Sequence, residues 1–273
     1  MSFIMALDQR SKEIRRSIIR MVAAGRRGHI GPAMSLAEIL RVLYDSFLRY
    51  RTEQPHWPHR DRLILSKGHG GLALYAILAH KGFFPHEELD TFGQAVSRLC
   101  VHPERGHVPG VEASTGALGH GLPMGVGMAL AARIRKQAYR VVVITGDGEI
   151  NEGSVWEAAL SAAKHRLSNL IVFVDYNKFQ AYGPTREVLD LEPLADKWAG
   201  FGFHVEQVDG HDIPALERLM TRLPPNPEKP TAVICHTIKG RGIDFAEAMP
   251  EKWHHKSRIP DEDIEAMYGC LAE

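Results

Sequence analysis

The chain has 273 residues, of which 44% are apolar and 24% are charged, and its 33 basic residues balance its 33 acidic ones. This composition is typical of a folded globular protein and excludes a disordered chain. Because the formal net charge is zero, we expect no general attraction for nucleic acid or an anionic membrane. The longest apolar runs are strand-sized, far below the roughly 20 residues that cross a bilayer, so no membrane span is expected.

The N-terminal stretch favours an amphipathic helix over a targeting segment. Asp8 and Glu13 interrupt any secretory apolar core. The apolar residues that share one helical face are Leu7, Ile14, Ile18 and Val22. The chain's three cysteines are widely separated, which fits neither a disulfide framework nor the usual zinc spacing, and we expect a cytoplasmic protein.

Short apolar runs alternate with helix-like segments along the rest of the chain. The predicted strands are 63–65, 141–145, 170–174, 204–208 and 231–235. The predicted helices are 36–48, 71–81, 124–136, 155–164 and 213–223. This alternation predicts an α/β fold with a doubly wound, mostly parallel sheet flanked by helices, in one domain over residues 1–273. Residues 238–263 show little periodicity and are predicted to form a long surface loop.

An acidic residue follows the strand 141–145 in the sequence "VVVITGDGEI". Ligands of open parallel sheets bind beyond the carboxyl ends of the strands, which is where Asp147 falls. Gly146 and Gly148 let the backbone turn sharply and approach a ligand, and a helix predicted to start near Ser154 offers a partly positive N-terminus. Asn177 takes the same place after the next strand, thirty residues later.

These residues predict a magnesium site that binds a diphosphate. The carboxylate of Asp147, the amide oxygen of Asn177 and a backbone carbonyl near Phe179 would supply hard oxygen ligands and leave room for phosphate oxygens and water. Taken singly, Gly-Asp-Gly and an Asn after a strand are common turn formers, so the structural alternative stays open at this point.

At these residues the chain resembles the transketolase family. "GDGEINEGSVWEAA" followed by "NLIVFVDYNKFQ" is similar to the thiamine-diphosphate-binding motif in its transketolase form. Further matching stretches, in chain order, are "GHIGPAMSLAEIL", "DRLILSKGHGGLALYAIL", "HPERGHVPGVEASTGALGHG", "GPTREVLDLEPLADKW" and "QVDGHD". The resemblance covers nearly the whole chain and implies the diphosphate-binding domain of the thiamine-diphosphate-binding fold.

The resemblance also implies roles for individual residues. Magnesium would be bound by Asp147, Asn177 and the carbonyl of Phe179. Residues expected to contact thiamine diphosphate are His69, Gly116, Leu118, Gly146, Asp147, Gly148, Glu149, Asn177 and His254. Histidines expected to be catalytic are His29, His69, His102 and His254. Of these, His29, His102 and His254 would face the ketose donor, because imidazoles exchange protons with hydroxyls near neutral pH. His255 adjoins His254 and could take its role. Glu152 and Glu157 match acids at the family's subunit interface, or are simply charges at a helix start.

In the family, the glutamate that activates the cofactor lies on a pyrimidine-binding domain, which has no counterpart in this sequence. We therefore expect this chain to be the N-terminal subunit of a split transketolase, with a separate C-terminal, pyrimidine-binding chain for its partner and a heterotetramer for the assembly. The implied reaction cleaves a ketose or ketose phosphate between its second and third carbons and transfers the glycolaldehyde unit to an aldose or aldose phosphate.

Several alternatives stay open. The chain could serve 2-oxo acid or deoxyxylulose-phosphate-synthase-like chemistry, or be a non-catalytic remnant. Gly119, Gly121 and Gly125 nearly match a dinucleotide fingerprint but lack the preceding strand. The chain departs from the family pattern at His120, Val101 and Tyr182, and no chemistry is inferred from these changes. The sequence leaves the sugars, the pathway and the stoichiometry undetermined.

Overall fold

A computed structural model describes residues 6–272 of the chain. Its five strands form one parallel sheet. The strands are β1 (Arg62–Leu65), β2 (Val141–Gly146), β3 (Leu170–Tyr176), β4 (His204–Asp209) and β5 (Thr231–His236). Their order across the sheet is β1-β2-β3-β5-β4. Every predicted strand is confirmed, with bounds that differ by at most two residues.

Helices surround the sheet. They are α1 (Gln9–Gly25), α2 (Ile30–Met34), α3 (Ala37–Val42), α4 (Gly71–His80), α5 (Gly121–Ile134), α6 (Gly153–Lys164), α7 (Thr185–Val188), α8 (Leu194–Gly200), α9 (Ile213–Met220), α10 (Asp244–Ala248) and α11 (Asp261–Gly269). A π-helical turn (Leu43–Phe47) continues α3, and 3₁₀ turns occupy Gly68–Gly70, His86–Thr91 and Glu149–Asn151. The predicted α/β fold with helices flanking a parallel sheet is confirmed.

The sheet has a hydrophobic core on each face. Side chains alternate along a strand, so Val142 and Ile144 of β2 join the core formed with α1 to α4, while Val141 and Val143 join the core formed with α5, α6 and α8. Burial on both faces explains why β2 and β3 are continuous apolar runs rather than alternating ones.

The amphipathic N-terminal helix is confirmed as α1, in which Ile14, Ile18 and Val22 are buried. Leu7 lies before its first turn. Asp8 caps the helix by accepting a hydrogen bond from Ser11 N at 2.8 Å. Within residues 6–272, no helix is long and apolar enough to cross a membrane.

The prediction of a long surface loop over residues 238–263 is wrong. The segment contains α10 and the start of α11, and it buries Ile243 and Trp253. Its backbone pairs with the chain around α2, where Gly31 N donates to Trp253 O at 2.9 Å. Two glycines and two prolines hide the short helix from a periodicity argument, because five residues give too few turns for a pattern. The segment thereby forms one wall of the site described next.

Candidate active site

The site lies at the carboxyl ends of β2 and β3. The two strands pair in parallel with Gly146 opposite Asp175, so the residues that follow each strand emerge side by side. Asp147 and Asn177 are both buried there, with 2% and 7% of their surface exposed. A cavity of about 430 Å³ opens above them. The structure therefore brings together the two side chains on which the sequence argument rested.

The carboxylate of Asp147 is held by backbone groups. Its Oδ1 accepts from Gly148 N at 2.7 Å and its Oδ2 accepts from Lys178 N at 2.5 Å. Burial, together with the negative charge of Asp175, raises the pKa of Asp147 to about 7. A carboxylate so placed is stabilised by a cation, because a positive charge favours its ionised form.

Asn177 and Phe179 form the turn after β3. Asn177 Nδ2 donates to Asp175 Oδ2 at 3.2 Å, which orients the amide, and its Oδ1 accepts from Phe179 N at 3.1 Å. The carbonyl of Phe179 accepts from Lys239 Nζ at 3.2 Å. The three oxygen ligands predicted for magnesium thus lie on two adjacent turns at one edge of the sheet.

Two buried lysines in this site were missed by the sequence argument. Lys67 is 1% exposed and its ammonium contacts the carboxylate of Asp175, while Lys239 is 2% exposed and also donates to Gln180 O at 2.9 Å. Burial and the charge of Lys67 lower the pKa of Lys239 to about 8. A signal existed: each lysine follows a strand at the same sheet edge, two residues after β1 and three after β5. Both cations suit an anionic ligand.

Four predicted histidines meet on one side of the cavity. The ring of His29 lies 5.6 Å from each of the rings of His69, His102 and His254, and the rings of His69 and His254 are 5.3 Å apart. They come from four separate places in the chain, which only the fold brings together. The cavity is lined by all four.

These imidazoles are held in the neutral form. Burial, with the nearby charges of His255 and Lys239 respectively, lowers the pKa of His29 and of His254 to about 3. Burial also lowers the pKa of His69 well below its ordinary value and lowers that of His102. A neutral imidazole has one nitrogen that donates and one that accepts, so each ring can donate a hydrogen bond to a hydroxyl or accept one from it.

The structure separates His254 from His255. His254 lines the cavity, whereas His255 is exposed, with its ring 4.5 Å from that of His29 on the outer side of the cluster. The geometry therefore favours His254 as the residue that faces a bound ligand.

Two glycines of the site allow close approaches. At Gly116, with φ of +132°, a Cβ would lie 3.1 Å from His102 Cγ, and at Gly148 a Cβ would lie 2.9 Å from Gln180 Cγ. Leu118 lines the cavity and keeps 36% of its surface exposed. A side chain at Gly116 or Gly148 would therefore crowd a residue that lines the cavity, so both positions favour glycine.

Glu149 accepts hydrogen bonds from three segments of the chain at the base of the site. Its Oε1 accepts from Ser66 Oγ at 2.5 Å and from Gly119 N at 3.0 Å, and its Oε2 accepts from Gly146 N at 3.1 Å. Both carboxylate oxygens of Glu149 therefore accept hydrogen bonds from the chain, and one of these bonds comes from Gly146 N. A direct contact of either residue with the cofactor stays a prediction.

Two of the remaining sequence candidates line the cavity and two do not. His120, just before α5, contacts Leu118 O through its Nδ1 at 2.9 Å. Tyr182 is 91% exposed at the edge of the cavity. Glu152 also lines the cavity, and Glu157 is exposed on α6. Helix α6 begins at Gly153, one residue before the predicted start.

Residues 8–271 match the family model described as transketolase, thiamine diphosphate binding domain. The chain is 44% identical over 259 residues to one of the named subunits of the apulose-4-phosphate transketolase of Actinobacillus succinogenes, covering 94% of this chain and 92% of that protein. It is 42% identical over 241 residues to a 6-deoxy-6-sulfo-D-fructose transketolase subunit from a Clostridium species, covering 88% of each.

Solved structures agree with this match. The transketolase of Pichia stipitis superposes with a TM-score of 0.88 at 30% identity, over 96% of this chain and 40% of that one. The chain thus spans less than half the length of this transketolase. The site and the fold define a thiamine diphosphate-binding domain, and the chain belongs to the transketolase family. The relatives named as subunits match it nearly end to end, which confirms its recognition as the N-terminal subunit of a split transketolase.

The residues of the site fit a magnesium diphosphate. Asp147 is a buried carboxyl whose pKa is raised, the lysines supply positive charge, and Gly148 leaves room where a Cβ would clash. Within residues 6–272, three buried polar atoms of cavity residues have no hydrogen-bond partner: His29 Nδ1, Gln180 Nε2 and His254 Nδ1. Such atoms are stabilised when a polar ligand or water satisfies them.

Proposed function

We propose that this chain is the diphosphate-binding subunit of a two-component transketolase, which transfers a two-carbon ketol unit from a ketose or ketose phosphate to an aldose or aldose phosphate. The observation that carries the proposal is the meeting of Asp147 and Asn177 with a cluster of neutral histidines in one cavity. Carboxylate and amide oxygens suit a cation bound to diphosphate, and neutral imidazoles suit sugar hydroxyls.

Asp147, Asn177 and the carbonyl of Phe179 would bind Mg²⁺, with Gly148 and His69 beside the diphosphate. Lys239 donates to the carbonyls of Phe179 and Gln180 and supports the same turn. Gly116 and Leu118 would flank the aminopyrimidine. Thiamine diphosphate, when bound, supplies a carbanion donor and an electron sink.

His29, His102 and His254 would bind the ketose donor. Because their pKa values are lowered, they enter the complex uncharged and can hold a hydroxyl as donors or acceptors. One ring would accept the proton of the hydroxyl on the third carbon as the bond between the second and third carbons breaks, and would return a proton to the alkoxide that forms when the two-carbon unit adds to the acceptor aldehyde. His69, deeper and close to His254, would keep water out of the diphosphate end.

A partner subunit would complete the site. Two relatives of this chain are named as transketolase subunits, and the transketolase of Pichia stipitis is more than twice as long as the part this chain covers. Tyr182 is exposed at the edge of the cavity, and Val188 and Leu189, six and seven residues further along the chain, also expose apolar side chains. These support a C-terminal, pyrimidine-binding partner, with a heterotetramer in the cytoplasm as the proposed assembly, in which all 273 residues act as one domain.

The test is ketol transfer by this chain co-expressed with a pyrimidine-binding subunit, with thiamine diphosphate and Mg²⁺. The donor panel contains ketose phosphates, apulose 4-phosphate, 6-deoxy-6-sulfofructose and a 2-oxo acid. We expect turnover with at least one ketose and a loss of at least about 100-fold in Asp147→Ala, a factor worth about 2.7 kcal/mol. Asp209→Ala removes an acid at the end of β4, away from the cavity, and is the matched control.

Turnover with the 2-oxo acid and none with ketoses would contradict the proposed substrate class. Equal activities of the Asp147→Ala and Asp209→Ala enzymes would contradict the proposed metal site. Absence of turnover while thiamine diphosphate still binds would favour the non-catalytic alternative.

A further inference from the structure

A second group of metal-binding side chains lies outside the cavity. Cys100, Glu104 and His107 each offer one ligand atom, and the three atoms lie within 4.8 Å of one another. His107 Nδ1 is 3.3 Å from Glu104 Oε2, and these two side chains are about half exposed. Among residues 6–272, no other set of three Cys, His, Asp or Glu side chains has ligand atoms this close.

The chemistry of the three ligands selects the type of cation. A thiolate and an imidazole suit Zn²⁺ and similar borderline ions, while Mg²⁺ prefers oxygen and keeps its water. Bonds of about 2.0 to 2.3 Å around a tetrahedral Zn²⁺ place the ligand atoms about 3.5 Å apart. The three ligand atoms lie within 4.8 Å of one another, so small side-chain rotations bring them to this geometry.

Backbone hydrogen bonds hold the segment between Cys100 and His107 in place. Thr115 N donates to Pro103 O at 3.1 Å, and Arg105 N donates to Ser114 Oγ at 3.0 Å. These two bonds anchor the stretch between Cys100 and His107 to the chain around Ser114. A cation would therefore bind to a nearly formed site, with little entropy lost in ordering the chain.

The thiol is protonated in the absence of a cation. Burial and the charge of Glu104 raise the pKa of Cys100. Cation binding would deprotonate it and release the proton to solvent, since thiolate is the ligand form. The spacing between the three cysteines does not reveal this group, because its other two ligands are a glutamate and a histidine.

We propose that Cys100, Glu104 and His107 bind a Zn²⁺-type divalent cation with three protein ligands and one position open to water, separately from the Mg²⁺ of the cofactor. The segment that carries these ligands also carries His102, which lies between Cys100 and Glu104. Occupancy would therefore restrain the backbone on both sides of a donor-site histidine. The site itself does not depend on the proposed function.

The test is titration of the full chain with Co²⁺, with thiamine diphosphate and Mg²⁺ present in excess. Cobalt bound by a thiolate gives a near-ultraviolet charge-transfer absorption, which histidine sites do not give. We expect this absorption in the wild-type chain, its loss in Cys100→Ser and its displacement by Zn²⁺. Cys270→Ser is the matched control, because Cys270 is also a half-buried free cysteine.

Glu104→Gln and His107→Ala test the same site through half-exposed side chains, so that weaker binding is not attributable to unfolding. We expect each to weaken Co²⁺ binding at least tenfold, and His56→Ala, at another exposed histidine, to leave it unchanged. No charge-transfer absorption in the wild-type chain would overturn the proposal. So would an absorption that survives in Cys100→Ser and disappears in Cys270→Ser.

Discussion

Asp175 lies beneath the site and accepts hydrogen bonds from several of the polar side chains around it. It is fully buried and accepts from the ammonium of Lys67, from Ser35 Oγ at 2.6 Å, from the hydroxyl of Thr237 and from Asn177 Nδ2 at 3.2 Å. Burial opposes its ionisation, but Lys67 and the hydrogen bonds outweigh this and hold the pKa of Asp175 below its usual value. The negative charge of Asp175 is thus compensated by Lys67, and the amide of Asn177 is held in one orientation.

We expect Asp175→Asn to act on stability and on metal binding together. Removing one member of a buried ion pair leaves Lys67 uncompensated, which costs about 3–5 kcal/mol of unfolding free energy. The Mg²⁺ concentration for half-maximal activation of the assembled enzyme should also rise, because the neutral amide that replaces the carboxylate is a weaker acceptor for the Nδ2 group that orients Asn177. Urea denaturation and a Mg²⁺ titration measure the two effects. Asp196→Asn, exposed on α8, serves as the control, and an identical Mg²⁺ requirement in both variants would remove the positioning role.

The adjacent histidines give a second prediction at this scale. His254→Ala should lower kcat/KM for the ketose donor by about 100-fold or more, since a group that exchanges protons with substrate contributes 10²–10⁴. His255→Ala should cost much less, because its ring lies on the exposed side of His29. Measuring kcat/KM for the ketose donor with each variant in the assembled enzyme tests this prediction. A larger loss in His255→Ala would reverse the assignment.

At the scale of elements, a buried ionic network joins α1, α3 and the loop after β4. Arg15 Nη2 donates to Glu38 Oε2 at 2.9 Å, and His211 Nδ1 lies 2.8 Å from the same oxygen. Because Ile238 N donates to His211 Nε2 at 2.9 Å, the neutral ring must carry its proton on Nδ1 and donate it to Glu38. The network therefore reaches the residue next to Lys239 and supports the wall of the site.

This network predicts a pH-dependent stability. Burial opposes ionisation of Glu38, but the charge of Arg15 and the bond from His211 hold the pKa of Glu38 well below its usual value. Its contribution is therefore fully present above the unfolded pKa, near 4.5, and is lost progressively as the pH falls from that value through the lowered folded pKa. At pH 7, Glu38→Gln should cost about 3–5 kcal/mol of unfolding free energy.

Urea denaturation at pH 7 and at pH 4 measures this effect. The difference between wild type and Glu38→Gln should shrink at the lower pH. Glu13→Gln, on the exposed face of α1, should change the unfolding free energy by less than about 0.5 kcal/mol. A Glu38→Gln penalty that stays constant with pH would contradict the account.

The elements also show what a sequence can predict. β2 and β3 were found because burial on both faces leaves a continuous apolar run, and Asp147 and Asn177 followed from their place at the strand ends. α10 was missed, since one short turn of helix has no measurable period. The wall formed by the segment after β5 depends on backbone pairing between residues more than 200 positions apart, as between Gly31 and Trp253, and no local pattern records it.

At the scale of the whole molecule, the site is open on one side. The cavity is lined by the oxygen ligands proposed for magnesium, two lysines and four histidines, while its border exposes Tyr182 and Leu118 to solvent. Apolar side chains at the mouth of a polar cavity are typical of a surface that a partner covers. The proposed two-component enzyme accounts for both features, because the second subunit would close the cavity and supply the group that activates the cofactor.

The most direct measurement is reconstitution from separately purified subunits. Ketol transfer is assayed with thiamine diphosphate and Mg²⁺ for this chain by itself, for its pyrimidine-binding partner by itself, and for mixtures in which one is titrated against the other. We expect no turnover from either component alone and activity that rises to a plateau at a fixed ratio in the mixture. Turnover by this chain alone, purified free of any partner, would contradict this expectation.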